Sequence, residues 1–202
     1  MNEKLITMPE LEVAGLICYT TIRFGENFNA IPRFWQEHLH NGMIEQLQQE
    51  SFVKNQITYG VYLPENPITG NFEYLVCAEV KQDVEIPQPY VVKKLPAASY
   101  MVFSSSPVDA AFFSTEVYNT WAYIYGTWIP QSRFVLNGDA VHFELYDERA
   151  QPERGKVCDL YVPVIYAPGK TVFPFELEIP PVEALPGVKS GQGSPNTVAV
   201  KV

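Results

Sequence analysis

The sequence predicts an α+β domain in which two strand–helix–strand–strand modules are related by a pseudo-twofold axis around a central ligand cleft. Two observations favour this fold: the same order of elements occurs twice, and aromatic side chains recur at matching positions. Trp35 and Trp121 are 86 positions apart, and Tyr62 and Tyr146 are 84 positions apart. One such module cannot cover both faces of its own sheet, whereas two joined modules can. Chance similarity between two α+β halves remains the alternative.

The first module spans about residues 5–82. Its first strand is expected to begin at Glu12, in an apolar run that extends to Tyr19. A helix should follow, with Pro32 tolerated near its start and Asn41-Gly42 interrupting it. Two further strands are predicted, the first ending before Pro64 and the second alternating from residue 72 to residue 80. The apolar stripe of the helix consists of Ile31, Phe34, Trp35, His38 and Leu39.

The second module, about residues 97–166, repeats this order. A strand is predicted at 98–103, and two more at 142–147 and 157–164. Between the first two strands, aromatic residues recur at helical spacing in a helix that Pro130 should end. This stripe consists of Tyr118, Trp121, Tyr125 and Trp128.

Two proline-rich segments flank the second module. Residues 83–97 are expected to link the modules, and Tyr90-Val91-Val92 within them can add to a sheet edge. Residues 167–202 are a Pro/Gly-rich C-terminal extension that follows the domain formed by residues 1–166. The apolar run from Val172 to Ile179 predicts that this extension packs on the domain or on a partner chain.

Composition and charge narrow the classes of protein. Apolar residues make up 47% of the 202 positions, which is enough for a sizeable core, and no run is long enough to cross a membrane. The start of the chain lacks the pattern of a signal peptide, so we expect a cytoplasmic protein. The net charge of −9 disfavours direct nucleic-acid binding and permits a cationic ligand or a basic protein partner.

The sequence predicts neither a metal site nor a cofactor. Cys18, Cys77 and Cys158 are far apart and lie in apolar runs, which favours reduced thiols in the core. The histidines include one pair two positions apart, His38 and His40, which would diverge around a helix. Phosphate-binding loops, dinucleotide fingerprints and nucleophile elbows are all missing from the sequence.

Aromatic residues are concentrated in the second half, with thirteen from Tyr100 to Tyr161 inclusive. Tyrosine and tryptophan carry polar tips that need partners when buried, so such a concentration suggests a lined cavity as well as a plain core. Glu144 and Tyr146 share one face of a predicted strand. The pattern leaves open whether this face is solvated or points inward. An inward Glu144 would lie among aromatic rings, where a ligand cation could neutralise it.

Several motifs carry a resemblance to a known family. The string from Trp121 to Ser132 resembles the helix end W-x-x-I-Y-x-x-W-L-P-x-S of GyrI-like domains. Residues 143–147 resemble the strand F-E-x-Y-D of that family, and residues 160–164 resemble its closing strand I-Y-I-P-V. Three further segments fit, at 31–35, 59–62 and 98–103, so that the match spans about residues 5–166. The chain is identified as a member of the GyrI-like, AraC-type effector-binding family.

This family is similar to the ligand domains of multidrug-responsive AraC- and MerR-type regulators and to DNA gyrase inhibitory protein. The resemblance implies a duplicated α+β fold with an aromatic cleft, in which an inward glutamate binds cationic lipophilic compounds. Matched residue by residue, that role falls on Glu144. The other expected ligand-binding residues are Tyr146, Trp121, Tyr125, Tyr161, Trp35 and Tyr62.

Three functional hypotheses follow. The first is a stand-alone binder of amphipathic, cationic small molecules, acting in sensing or sequestration, because too few residues precede the first predicted strand for a helix-turn-helix. The second is a hydrolase of reactive drug-like compounds, in which Glu144 serves as general base. The third is a protein-interaction module similar to DNA gyrase inhibitory protein, whose acidic surface meets a basic partner. A homodimer is compatible with each hypothesis.

Overall fold

The computed structural model describes residues 3–171, which form a mixed α+β fold with one large sheet. Its strands are β1 (Glu3–Met8), β2 (Leu11–Thr21), β3 (Thr58–Tyr62), β4 (Asn71–Glu79), β5 (Val91–Leu95), β6 (Ala98–Ser104), β7 (Phe134–Leu136), β8 (Phe143–Tyr146) and β9 (Asp159–Tyr166). Its helices are α1 (Asn27–His40), α2 (Met43–Gln49), α3 (Phe113–Tyr123) and α4 (Ile129–Gln131), with a π-helical turn at Ile124–Trp128 between the last two.

The sheet has the strand order β1-β6-β9-β8-β3-β4-β2-β5, and β7 pairs with β9 outside this path. Every pairing is antiparallel. The predicted α+β class is therefore confirmed, and the order strand, helix, strand, strand occurs in both halves. The pseudo-twofold axis remains a prediction. The halves meet at the centre of the sheet, where β3 from the first half pairs with β8 from the second.

Four local details differ from the sequence-based expectation. A strand, β1, precedes the one predicted to be first and pairs with β6. It was not predicted because its residues alternate only weakly and most of its side chains are exposed. The short strand β7 was not predicted either. The last strand, β9, runs two residues later than expected. Pro32 lies inside α1, since this helix already begins at Asn27. The expectation that the segment after Tyr90 adds to a sheet edge is confirmed, because β5 pairs with β2.

One face of the sheet carries a continuous apolar core. Side chains from the strands at both ends of the strand order and from its centre join the same cluster, including Val13, Leu95, Tyr100 and Phe143. Strands so far apart in the order can share a cluster only if the sheet curves towards this face. Burial of these side chains is a main source of the free energy that stabilises the fold.

The helices cover the opposite face in two groups. In the first half, α1 and α2 pack on β2 and β4 through fully or nearly buried residues such as Ile31 and Leu47. In the second half, α3 and the π-helical turn pack on β6 and β9, where Ile124 is fully buried. The two groups touch through an edge-to-face pair of Phe28 and Tyr118, with ring centroids 5.2 Å apart. The paired strands β3 and β8 lie between them.

The remaining predictions on organisation have mixed outcomes. Only Ala167 to Thr171 of the predicted C-terminal extension are described, and Lys170 Nζ there donates to the carbonyl oxygen of Phe134 at 2.8 Å. The rest of the extension lies outside the described residues. The three cysteines are buried and unpaired. Across residues 3–171, no helix is long and apolar enough to cross a membrane.

Candidate ligand site around Glu144

The candidate site is centred on Glu144, which lies in β8 where the two halves of the sheet meet. Strand alternation directs Phe143 into the apolar core on one face and Glu144 towards the helices on the other. The side chain is only 2% exposed. The sequence left two orientations open, and the structure has the inward one, as the resemblance implied.

Four hydrogen-bond donors converge on the Glu144 carboxylate. The hydroxyl of Tyr62 and the indole Nε1 of Trp121 both donate to Oε1, each at 2.7 Å. The hydroxyls of Tyr74 and Tyr146 donate to Oε2, at 2.8 and 2.9 Å. An ionised carboxylate accepts about four hydrogen bonds, so each of its acceptor positions is occupied. Trp121, one of the expected ligand-binding residues, therefore contacts the carboxylate directly.

Gly60 makes room for this arrangement. It lies directly opposite Glu144 in the pairing of β3 with β8. A Cβ at this position would stand 2.0 Å from the Tyr74 hydroxyl oxygen and 2.8 Å from Glu144 Oε2. Only glycine therefore allows Tyr74 to reach the carboxylate across β3.

The protonation states suit a set of donors around one anion. Burial raises the pKa of Tyr62, Tyr74 and Tyr146 well above the ordinary tyrosine value, and the neighbouring carboxylate raises it further. These hydroxyls therefore keep their protons at neutral pH. Burial also lowers the pKa of His142 to about 4, so that its ring is neutral there.

A second layer of aromatic side chains supports and surrounds the donors. The Trp35 indole of α1 donates to the Tyr74 hydroxyl at 2.9 Å, and its ring lies 5.0 Å from that of Tyr146. The Tyr125 ring stacks on Trp121 at 5.8 Å. His142 packs against Tyr62, Trp121 and Tyr125, with centroid distances of 4.9 to 6.1 Å. Most of these aromatic side chains are half-buried, whereas Glu144 is buried beneath them.

In the part of the chain that the structure describes, the Glu144 carboxylate has no cationic partner. None of the lysine and arginine side chains between residues 3 and 171 forms an ion pair with it. Arg149, three residues after Tyr146, is held instead by Asp147 and Asp159 at 2.8 and 2.6 Å. In the same part of the chain, no group of three or more potential metal ligands comes together.

Most of the predicted site residues come together in space. Glu144, Tyr146, Trp121, Tyr125, Trp35 and Tyr62 form one cluster. Tyr161 does not belong to it, which corrects the expectation that it supports Glu144. Its ring stacks on Phe143 at 4.5 Å on the other face of the sheet, because it faces Phe143 directly in the pairing of β8 with β9.

Sequence reasoning missed Tyr74, Gly60 and His142. Tyr74 lies in a strand with apolar residues on both faces, so alternation alone did not mark its side as special. The signal that was available is the glycine in the neighbouring strand β3, because a glycine in a strand interior often marks a close approach.

Two open grooves of the surface lie away from this cluster. One groove of about 830 Å³ is lined by residues such as Tyr19, Asn66 and Glu73. Another, of about 500 Å³, is lined by residues such as Lys4 and Asp159. Neither groove reaches Glu144. Because Glu144 is only 2% exposed, a molecule that contacts its carboxylate must displace aromatic rings above it.

Comparisons with known proteins agree with this fold. A bacterial transcription regulation protein from Staphylococcus aureus MU50 superimposes with a TM-score of 0.63 at 21% identity, over 81% of this chain and 98% of the other. The structure of SAV2435 bound to tetraphenylphosphonium superimposes with a TM-score of 0.64 at 20% identity, over 82% of this chain and 94% of the other. An integron cassette protein from the mobile metagenome of Vibrio cholerae superimposes with a TM-score of 0.53 at 18% identity, over 81% of this chain and 95% of the other.

At these identities the structural likenesses show the fold, and the family rests on the sequence. No curated protein matches the chain significantly. A family model of integron-associated effector binding proteins, however, matches residues 4–164, which is most of the chain. The chain is therefore a GyrI-like effector-binding domain and belongs to the family of integron-associated effector binding proteins.

Proposed function

We propose that the protein binds lipophilic organic cations, with the Glu144 carboxylate as the counter-charge, and serves to sense or sequester them. The observation that carries this proposal is a buried carboxylate that is fully hydrogen-bonded and yet has no cationic partner within residues 3–171. Hydrogen bonds keep the anion in place, but a net charge inside the protein remains costly until an opposite charge approaches it.

The surroundings of Glu144 suit a large, flat or branched cation. Faces of tyrosine and tryptophan rings attract cations, and the attraction grows when water is excluded. The half-buried rings of Trp35, Trp121 and Tyr125 supply such faces next to the carboxylate. A small hydrated ion would gain little from these apolar surfaces. A cation with aromatic groups would bury apolar area as well as charge.

Binding requires the aromatic cluster to open. In the packed arrangement, Tyr62 and Trp121 cover Oε1 from opposite halves of the fold, with their rings 5.7 Å apart. The contact between Phe28 and Tyr118 also joins α1 to α3. We expect a ligand to shift the population towards an arrangement in which these contacts are loosened. One related structure, that of SAV2435, contains tetraphenylphosphonium, a lipophilic cation, and this supports the proposed ligand class.

The test compares binding of methyltriphenylphosphonium with binding of triphenylphosphine oxide, its neutral analogue, by calorimetry and thermal shift. The phosphonium ion should bind and raise the melting temperature, and the oxide should bind far more weakly. Glu144→Gln should weaken phosphonium binding by about 1.5–3 kcal/mol, the range for losing a charged partner. Equal affinity of the wild type and Glu144→Gln for the phosphonium ion would refute the role of the carboxylate.

Glu144→Gln is expected to fold, because the site can accommodate an amide. The indole of Trp121 can only donate, so the amide oxygen must take the position of Oε1. The amide nitrogen then faces the hydroxyls of Tyr74 and Tyr146, which can turn to accept hydrogen bonds. The matched control is Glu153→Gln, which removes the same charge from an exposed position and should leave affinity unchanged.

The other two hypotheses remain predictions. A general base needs a free acceptor position for the attacking water, and all four positions on Glu144 are occupied by donors. Chromatography of the ligand panel after incubation with the protein checks for turnover. Co-purification with gyrase, tested at low and high salt, checks for the interaction module. The homodimer and the cytoplasmic location likewise remain predictions.

A further inference from the structure

We infer that the site selects cations that have no hydrogen-bond donors, such as quaternary ammonium and phosphonium ions, over protonated amines of the same skeleton. This inference rests on the proposed function, since it assumes that Glu144 is the counter-charge. It concerns whether a cation with N–H donors or one without them is the better partner for the carboxylate.

The first step of the argument is the occupancy of the carboxylate. Both oxygens of Glu144 receive two hydrogen bonds, at 2.7 to 2.9 Å, from four different side chains. The donors belong to both halves of the fold, and Tyr74 is fully buried and itself held by Trp35. An incoming N–H group must therefore displace one of these donors before it can hydrogen-bond to the carboxylate.

The second step is the requirement of a protonated amine. A primary ammonium group carries three N–H donors and is strongly hydrated. It therefore loses a large favourable hydration free energy when its water is removed. The other acceptors near Glu144 are neutral: the hydroxyl oxygens of Tyr62 and Tyr146 and one ring nitrogen of His142. Hydrogen bonds to neutral acceptors are about half as strong as those to a charged one. Each donor left unpaired in the site lowers the affinity by about 5- to 150-fold.

The third step is the advantage of a quaternary cation. Such an ion has no donors to satisfy, and its charge interacts with the carboxylate and the ring faces through space. Tyr74 and Tyr146 can then keep their hydrogen bonds to Oε2 while the ligand lies on the side of the half-buried rings. The donor set thus stabilises the empty protein and at the same time rejects amines.

The experiment uses two cations on one diphenyl skeleton, a trimethylammonium compound and the corresponding primary amine, both charged at pH 7. Calorimetry should show that the trimethylammonium compound binds to the wild type at least about 10-fold more tightly, which corresponds to one unpaired donor. The added methyl groups also favour the quaternary compound through apolar burial. The decisive readout is therefore the change of this affinity ratio in variants.

Tyr62→Phe removes one donor from Oε1 and keeps the ring, so it opens an acceptor position for an N–H group. The amine should gain affinity, and the ratio should fall at least 5-fold. Trp121→Phe opens the other position on the same oxygen and should act in the same direction, which provides a second test if one variant folds poorly. The matched control is Tyr59→Phe, three residues away in the chain but on the opposite face, which should leave the ratio unchanged.

The outcomes separate this inference from the proposed function. If neither cation binds, or if Glu144→Gln changes neither affinity, the proposed function fails. If both cations bind through Glu144 with equal affinity, or if the ratio stays at the wild-type value in both variants, the selectivity inference fails while the proposed function stands. A fall of the ratio in Tyr62→Phe and Trp121→Phe, with no change in Tyr59→Phe, supports it.

Discussion

The two faces of the central strands β3 and β8 differ in how they use aromatic side chains. On one face, Tyr59, Tyr100, Phe143 and Tyr161 pack ring against ring, with centroid distances from 4.5 to 6.0 Å. On the other face, the polar tips of four aromatic side chains all point to the single carboxylate of Glu144. Both faces are rich in rings, but only one of them has a charge at its centre.

This difference shows that aromatic content does not by itself mark a site. A cluster of rings stabilises a core through burial and edge-to-face packing, whatever the direction of its hydroxyl groups. The side around Glu144 is set apart because its hydroxyl and indole groups converge. We therefore expect substitutions on the two faces to have different consequences, the first for stability and the second for the carboxylate.

The largest effect on stability is expected from Phe143→Ala. Phe143 is 1% exposed and contacts three other aromatic rings, so its loss leaves a cavity in the core. The free energy of unfolding, measured by equilibrium unfolding in urea, should decrease by about 3–5 kcal/mol. A loss below about 1 kcal/mol, typical of exposed positions, would contradict the assignment of this face as core.

Tyr74→Phe compared with Tyr59→Phe tests the difference most directly. Both remove one hydroxyl from a buried tyrosine, but only the Tyr74 hydroxyl bonds to Glu144. Tyr74→Phe should lower the free energy of unfolding by about 1.5–3 kcal/mol, since a charged acceptor loses its partner. Tyr59→Phe should cost less than about 0.5 kcal/mol. Equal costs in urea titration would mean that the carboxylate does not depend on its donors.

Gly60→Ala should strain the site without touching the apolar core. The added Cβ would overlap the Tyr74 hydroxyl oxygen, at 2.0 Å, so this side chain or the strand must shift. We expect a loss of about 1–3 kcal/mol, the usual cost of overpacking. The control is Gly126→Ala, where nothing lies within 4 Å of the new atom and the chain is helical. If both variants unfold at the same urea concentration, the close approach at Gly60 is wrong.

The smallest effect is a dependence of stability on pH that arises from His142. Its pKa is lowered from 6.5 to about 4 in the folded protein, so the unfolded chain takes up the proton first as the pH falls. The free energy of unfolding should therefore decrease between pH 6.5 and pH 4. Because one pKa unit corresponds to 1.36 kcal/mol and the side chain is only half-buried, we expect a change of about 1 kcal/mol by pH 5. His142→Leu should show a flatter pH profile; an identical profile would exclude this cause.

Much of the fold was predictable, because its elements follow local periodicity. The alternation along β4 and the helical spacing of Tyr118 and Trp121 predict both elements from the sequence alone. Helix α3 and the π-helical turn keep the aromatic stripe but divide it between two environments. Trp121 contacts Glu144, whereas Trp128 packs against Phe103 in the core. The π-helical geometry of this turn was not predictable from the residue spacing, because a π-helix is a single wider turn that hardly changes the helical periodicity.

The site was predictable only in part, because a carboxylate collects partners from distant strands. Glu144 could be proposed from its motif, and Tyr146 from sharing its strand face. Tyr161 was misplaced because its face depends on the register with β8, which no local pattern contains. Tyr74 was missed for the same reason, since it reaches Glu144 across the intervening strand β3.

The placement of the tryptophans gives the protein its own optical reporter. The chain has three, and two of them, Trp35 and Trp121, hydrogen-bond through their indole nitrogens to the network around Glu144. The third, Trp128, stacks on Phe134 in the core and can serve as an internal reference. Any event that breaks the indole hydrogen bonds changes the polarity around two of the three fluorophores. Intrinsic emission should therefore follow the opening of the cluster without a label attached to the chain.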